Sequence, residues 1–364
     1  MIYIVGAGPV GCYAAYLLSK AGKEVMVFEE HSAIGSPIQC TGLLTPSINK
    51  TIKLEKGVVI NKIKKARICN NKNFFETGMT DIVIDRKRFD QSLANKATKK
   101  GSEFFLGHKF IEINKKQIIL KNLKTKKLKK VDFSQDDILI GADGPNSAVR
   151  NYVDKKNKIS HWVGIQARAK LKTSGDTFEV WFDKAPGFFG WVVPENKQTI
   201  RIGLAAKKNT STYFRKLLDS KGIKQKDIIE LQGGLIPIYN PKLNVQKENI
   251  YLVGDAAAQV KATTGGGIIP GLIAAECLAD SILHNKDYHR QLRRRLNLKL
   301  SSHLRLRKIL DKFSEKDIDT LIRFCSQDKI KKLLRNTDRD NPIKLLLLLA
   351  AKEPRFMLFA RKLL

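Results

Sequence analysis

The chain is short of cysteine, short of acid, and without any long apolar run. Its 364 residues contain five cysteines, Cys12, Cys40, Cys69, Cys277 and Cys325. The number is odd and no Cys-x-x-Cys pair occurs, which argues against a disulfide framework or a zinc site and for a reducing compartment. No metal site is expected. No segment reaches the ~20 apolar residues that cross a bilayer; the nearest, residues 345–351, is far shorter. The apolar N-terminus lacks the basic flank of a secretory signal. No repeat and no Ser/Gly/Pro-rich linker separates parts of the chain, so its domains should pack rather than swing. Acid is scarce, with 35 Asp+Glu against 67 Lys+Arg, a net charge of +32. That imbalance has three readings: an anionic membrane surface, nucleic acid, or a lysine-rich composition without functional meaning. The basic tracts lack interleaved aromatics or a known binding motif, which argues against nucleic acid.

What is present is a folded composition, 43% hydrophobic, long enough for two or three domains. The apolar run Ile2-Tyr3-Ile4-Val5 leads into Gly6-Ala7-Gly8-Pro9-Val10-Gly11. A helical stretch follows with Ala15 on its inner face. Gly22 stops it, Val25-Met26-Val27-Phe28 reads as a second strand, and Glu29 stands at its end. This is the dinucleotide fingerprint of strand, Gly loop, helix, strand and acid. Gly6 permits the tight turn, Gly8 lets backbone approach a pyrophosphate, and Gly11 lets helix and strand pack closely. The helix N-terminus offers free N–H groups to phosphate. Glu29 can accept ribose hydroxyls and repels a 2′-phosphate, which leaves FAD or NAD.

Further along, residues 85–97 read as an amphipathic helix with Phe89, Leu93, Ala94 and Ala97 on its apolar face, ended by Gly101. Residues 104–135 read as a small antiparallel sheet with a lysine-heavy hairpin at 121–130. Residues 160–240 alternate as sheet, and 271–364 are helical in pattern. Two buried-type strands end in acidic turns. Ile138-Leu139-Ile140-Gly141 runs into Ala142-Asp143-Gly144, and Ile250-Tyr251-Leu252-Val253 runs into Gly254-Asp255-Ala256. Ligands bind at such strand ends in parallel sheets. Gly265-Gly266-Gly267 then precedes a helix opening at Ile268, exposing N–H groups toward one point, as the charged edge of a reduced flavin requires. The alternative for Asp255 is a plain turn or helix cap.

The N-terminal fingerprint, the Asp85-Arg86-x-x-Phe89-Asp90 element, the Asp143 turn and the Gly254-Asp255 turn, in this order over most of residues 1–280, resemble the flavoprotein group that includes aromatic hydroxylases and geranylgeranyl reductases. The resemblance implies FAD, with Arg86 near its phosphate and ribityl region and Asp143 near the pyrophosphate. Pro37-Ile38-Gln39-Cys40-Thr41-Gly42 resembles the reductases' cysteine loop beside the flavin ring. Pro186-Gly187-Phe188-Phe189-Gly190-Trp191-Val192-Val193-Pro194 resembles their P-x-x-Y-x-W-x-F-P signature, which lines a prenyl tunnel. Phe189 replaces the tyrosine and Val193 the second aromatic, so the apolar lining survives without the hydroxyl. Without the resemblance, Trp191 reads equally well as core and Cys40 as a small buried hydrophobe.

The resemblance therefore implies an α/β chain, α+β overall. A discontinuous Rossmann-like FAD-binding domain of the aromatic-hydroxylase type is expected at 1–70, 85–155 and 245–285. An antiparallel β-sheet substrate domain is expected at 71–84 with 156–244, and a basic helical region at 286–364. It implies a reductase that saturates geranylgeranyl C=C bonds of isoprenoid lipids by hydride transfer from reduced flavin. Cys40 and Trp191 are the catalytic candidates. Gly6, Gly8, Gly11, Glu29, Cys40, Thr41, Arg86, Asp143, Asp255, Gly265, Gly266, Gly267 and Ile268 are the cofactor candidates. Phe188, Phe189 and Trp191 are the substrate candidates. The expected partners are the lipid, an external donor (ferredoxin or NAD(P)H) and an anionic membrane surface, met by the apolar and cationic C-terminal residues, in a cytoplasmic, peripherally membrane-associated protein. The alternatives are a flavin monooxygenase of a small or aromatic substrate and a prenyl-binding carrier on the same scaffold.

Overall fold

Strand Ile2–Val5, helix Pro9–Lys20 and strand Val25–Glu29 form the first βαβ unit of the computed structural model. The structure describes every residue except Lys72, Lys115, Asp338 and Leu364, with backbone alone at Ala360 and Leu363. The unit nucleates a six-stranded sheet in the order Gln246–Lys247, Ile250–Leu252, Ile138–Gly141, Ile2–Val5, Val25–Glu29, Glu103–Leu106. Only the edge strand Gln246–Lys247 runs antiparallel. Ile4, Val27, Leu139, Ile140 and Leu252 are fully buried, as expected of parallel strands covered on both faces. Helices Arg86–Thr98 and Ile268–His284 both pack on Pro9–Lys20. Phe89, Leu93, Ala94 and Ala97 face that core as their spacing dictates.

The second sheet has eight strands: Ile228–Pro237, His161–Lys170, Thr199–Ala206, Gly190–Pro194, Thr177–Trp181, Val59–Asn70, Asn73–Ile84 and Leu43–Leu44. Its neighbours are antiparallel except Thr177–Trp181 against Val59–Asn70. This moves one boundary. Residues 59–70 were expected with the nucleotide-binding part, but their strand pairs along its length with Asn73–Ile84 and belongs to the second sheet. The pairing runs from Val59↔Ile84 to Asn70↔Asn73, so the two strands form one hairpin. A smaller correction concerns the third sheet, His108–Ile113, Gln117–Asn122 and Leu128–Asp132. Residues 103–106 are not part of it; they extend the parallel sheet beside Val25–Glu29.

The C-terminal residues form helices, among them Leu298–Leu310, Glu315–Cys325, Asp328–Asn336 and Pro342–Lys352. They close over the outer strands of the second sheet. Phe75 packs with Ile318, Ile322, Ile330 and Leu349 in one buried cluster.

Candidate functional site

The Gly loop has the geometry its spacing requires. Gly6 sits at φ +102° against the backbone of Ala142, and a Cβ at Gly11 would overlap the Gly6 carbonyl. Gly8 faces open space, with nothing within 4 Å of where its Cβ would lie. It caps helix Pro9–Lys20 with no side-chain hydrogen bond, so the helix N-terminus presents free N–H groups beside an empty face. Glu29 Oε2 accepts the Ala7 N–H at 2.6 Å, while Oε1 accepts the His31 N–H at 2.9 Å and faces His31 Nδ1 at 2.6 Å. The acid thus fixes the loop.

Across the sheet, Asp143 is used locally. Its Oδ2 accepts the N–H groups of Ala148 and Val149 at 2.8 and 3.2 Å, and its buried Oδ1 has no partner among the described residues. Asp255 differs. Its carboxylate makes no hydrogen bond among the described residues, and it lies against Gly267, where a Cβ would sit 2.7 Å from Oδ1. Burial pushes its pKa up to about 6, opposed by the nearby Arg86 guanidinium. A carboxylate held this way, unpartnered at a strand end, is free to accept hydrogen bonds from a ligand. Arg86 forms a two-point contact with Asp90, at 3.2 and 3.0 Å, and also reaches the Cys40 thiol. Arg86 therefore lies close enough to both Cys40 and Asp255 to act on their charge. No lysine or histidine lies close to Cys40 in sequence, so this cation became visible only in the fold.

The cysteine loop is held from the other sheet. Buried Arg201 donates to the Thr41 and Ile84 carbonyls at 2.5 and 3.1 Å and pairs with Glu195 at 2.7 Å. Gly42, at φ +70°, leaves room for that guanidinium; a Cβ there would lie 2.5 Å from its Nη1.

Between the eight-stranded sheet, the 261–269 segment and the C-terminal helices lies a cavity of about 450 Å³, within the usual range for small-molecule sites. Cys40, Thr41, Gly265, Gly266 and Ile268 line one end. Phe188, Phe189 and Trp191 form a further wall. Phe188 stacks on Phe189 at 4.4 Å and tilts against Trp162 at 4.8 Å, and Phe189 meets Trp191 edge-on at 6.0 Å. With phenylalanine at 189 this wall is continuous and without a hydroxyl. The rest is mainly apolar, including Ile68, Phe75, Phe178 and Phe182, and Leu334 and Leu345 from the C-terminal helices.

Sequence reasoning did not find Gln166, Gln232, Lys261, Thr263, Arg201, Arg339 or Asp340. Lys261 Nζ pairs with Asp340 at 2.6 Å, and the other oxygen of Asp340 accepts from Thr45 and Ser47 at 2.6 and 2.7 Å. Those hydrogen bonds and the ammonium hold the Asp340 carboxyl well below its ordinary range. Arg339 pairs with Asp81. Thr263 Oγ1 lies 2.7 Å from the buried His303 Nδ1, and burial pulls that histidine down to about 4, so it is neutral near pH 7. Only the Gly265 triplet, already singled out, pointed toward this stretch.

The residues fit a dinucleotide with a ring system at the cavity end. Val10 of the Gly loop lies against Gly254 and Gly271, and Asp255 against Gly267, so the Gly loop, the Asp255 turn and the Gly265–Gly267 turn adjoin one another. Among the described residues no cluster of His, Cys, Asp and Glu could hold a metal, and no helix is long and apolar enough to cross a membrane.

Comparison with known proteins agrees with this geometry. Residues 4–42 match the model for an NAD(P)-binding Rossmann-like domain. A digeranylgeranylglycerophospholipid reductase of Methanocaldococcus jannaschii is 29% identical over 88% of this chain and 89% of its own length. Digeranylgeranylglycerophospholipid reductase 3 of Methanosphaera stadtmanae is 27% identical over 91% of this chain and 92% of its own. A geranylgeranyl bacteriochlorophyll reductase-like protein from Thermoplasma acidophilum shares the fold, with TM-score 0.84 and 21% identity over 100% of this chain and 98% of that one. The chain is similar to the geranylgeranyl reductases over nearly its whole length.

Proposed function

We propose that this chain is an FAD-dependent oxidoreductase that saturates C=C bonds in the prenyl chains of isoprenoid lipids. One observation carries the reading: the apolar cavity shares its wall with the nucleotide cradle, through Cys40, Thr41, Gly265 and Gly266. The names of the relatives support the substrate class.

Gly6, Gly8, Gly11, Glu29, Arg86, Asp255 and the Gly265–Gly267 turn would hold the cofactor. Bound and reduced, FAD would supply a hydride to one carbon of an isolated alkene, a poor acceptor in water, and a proton drawn ultimately from solvent would complete the saturation at the other. The chain's own residues supply alignment and dryness. Phe188, Phe189 and Trp191 press the prenyl segment toward the cradle, and the lining excludes water, which matters most for an unactivated bond. Cys40 stands on the wall beside Arg86, where it controls access and local charge. An external donor, a ferredoxin or NAD(P)H, restores the reduced state.

The substrate reaches the site from a membrane. In helix Pro342–Lys352, Leu345 lines the cavity while Leu347 is 67% exposed. Ile343, Leu346, Met357 and Leu358 are also exposed, with Lys344, Lys352 and Arg361 among them. An apolar face ringed by cations fits the interface of an anionic bilayer, so we place the protein in the cytoplasm, attached peripherally.

The test is the visible spectrum of the purified protein followed by anaerobic incubation of the reduced holoprotein with an unsaturated archaeal-type lipid. The expected product gains two mass units per double bond. No gain, with oxygen-dependent NAD(P)H consumption on a phenolic substrate, would make it a hydroxylase. A colourless protein that still binds prenyl lipid would make it a carrier.

A further inference from the structure

Four side chains from four separate segments, three of them buried, meet in one hydrogen-bonded row at the cavity. Three follow from sheet register. Trp191 stands opposite Gly203, Gly203 opposite Gln166, and Gln166 opposite Gln232. Residues directly opposite share a face of the sheet, so the order across four strands is Trp191, Gly203, Gln166, Gln232. The glycine is the opening that makes the row work. A Cβ at 203 would lie 2.7 Å from Trp191 Cζ2 and 2.8 Å from Cε2, so the indole lies across the vacant position and reaches the strand beyond. There Trp191 Nε1 donates to Gln166 Oε1 at 2.9 Å. The same oxygen accepts from Thr41 Oγ1, in the cysteine loop, at 2.9 Å. Gln166 Nε2 donates to Gln232 Oε1 at 2.7 Å.

Gln166, Gln232 and Trp191 are all buried, and with Thr41 all line the cavity. A buried amide with three hydrogen bonds is oriented by all of its partners and orients each of them in return. Moving the indole without moving the cysteine loop would leave a buried N–H or hydroxyl unpaired.

We propose that Gln166 is a positioning residue that locks the tunnel tryptophan and the Cys40 loop into one unit, so that the substrate wall and the cofactor-side wall of the cavity keep a fixed spacing. Its effect on turnover rests on the reductase reading; its effect on the loop does not.

The test uses the purified holoprotein and three variants. Cys40 is half-buried and the other four cysteines are buried, so maleimide reports the cysteine loop first. Trp191 emission is taken as the difference from a Trp191→Phe protein. Gln166→Leu removes the shared acceptor. It should speed Cys40 alkylation on the order of tenfold, about what one lost hydrogen bond corresponds to, and should change Trp191 emission. With a prenyl lipid, kcat should fall on the order of tenfold while KM stays within about twofold, because alignment rather than binding is lost. Gln166→Glu keeps an acceptor for both Trp191 and Thr41, and burial in the neutral lining favours its protonated form, whose O–H donates to Gln232 as the amide N–H does; it should restore Cys40 alkylation and Trp191 emission to wild-type behaviour. Thr41→Val cuts only the loop half and should speed alkylation while leaving Trp191 emission unchanged, which also serves if the leucine variant does not fold. Alkylation unchanged in both Gln166→Leu and Thr41→Val would overturn the proposal, as would a Gln166→Glu protein that behaves like the leucine variant. If no lipid is reduced, the reductase reading fails, and alkylation and emission still decide the role of Gln166.

Discussion

Replacing Asp255 with asparagine should make the FAD-free protein more stable and a worse binder of FAD, with both effects tied to the same pH range. The folded carboxyl titrates at about 6 against an ordinary 3.8, because burial disfavours its charge more than Arg86 favours it. The shift is about two units, or about 3 kcal/mol at most, at about 1.4 kcal/mol per unit. The sign follows from linkage. A carboxyl whose folded pKa is raised binds its proton more tightly when folded, so stability falls as pH rises from 3.8 through 6 and stays reduced above. Asp255→Asn removes that penalty. By denaturant titration of the FAD-free proteins, the variant should gain about 1–3 kcal/mol at pH 8 and nothing near pH 3.5. Binding should run the other way. Ribityl hydroxyls donating to the ionised acid lower its pKa, so FAD binding expels a proton, and wild-type affinity should rise by up to about tenfold per pH unit between 5 and 6. The asparagine variant should bind more weakly at neutral pH, with a flat profile. If the variant is less stable than wild type at pH 8, or if the two affinity profiles run parallel, Asp255 is an ordinary turn residue and the argument fails.

Other consequences are more direct. Gly11→Ala should yield protein without flavin, read from the 450 nm absorbance of the purified sample relative to 280 nm, because the added methyl would overlap the Gly6 carbonyl. Asp340→Asn leaves the mostly buried Lys261 ammonium without its counter-charge and should lower stability by about 3 kcal/mol, as removal of one partner of a buried pair does, seen as a lower Cm in urea. Since the Asp340 carboxyl is held below its ordinary range, its stabilising contribution is present above the unfolded value and is lost on strong acidification; the variant's deficit should therefore shrink as pH falls to that range. Leu347→Lys combined with Met357→Lys should weaken sedimentation with anionic vesicles while leaving reduction of detergent-dispersed lipid within about twofold, since both side chains are exposed and away from the cavity lining.

Local signals in the sequence located the strand–loop–helix geometry of the N-terminal motif and missed most of the cavity. Gly6, Gly8, Gly11 and Glu29 are fixed by a short-range pattern in which each spacing has one steric meaning, and all four stand where that pattern puts them. Asp255 and Gly267 touch because a turn and a helix start lie a dozen residues apart. Arg86 and Cys40 are 46 positions apart by residue number, and only the packing of the Arg86–Thr98 helix under the cysteine loop brings them together. Gln166, Gln232 and Arg201 are polar residues in alternating strands, where position 2 of a pattern reads as solvent-facing. They are buried because the second sheet is covered on the face that a simple alternation would leave wet. The strand at 59–70 was placed with the wrong sheet for a related reason. Nothing local says which sheet a hairpin joins.

The chain's positive charge stops at the cavity. Among the described residues that line it, the charged ones are Lys261 and Arg339, and each is held by a carboxylate, Asp340 and Asp81. Behind the cysteine loop, Arg201 is matched by Glu195, which also takes Arg168 at 2.7 Å. A lone cation in this wall would be costly to bury and would draw anions or water inward. Pairing keeps the lining neutral and dry, which suits a hydrocarbon chain and disfavours a phosphate within the cavity. The surplus of basic residues is left to the surface, where it is screened within about 10 Å at ordinary salt and acts on whatever anionic face lies closest. The apolar patch of helix Pro342–Lys352 lies on that surface with its Leu345 turned to the cavity. The division of charge would thus suit the amphiphilic substrate proposed above, with a hydrocarbon chain in the neutral interior and its headgroup outside.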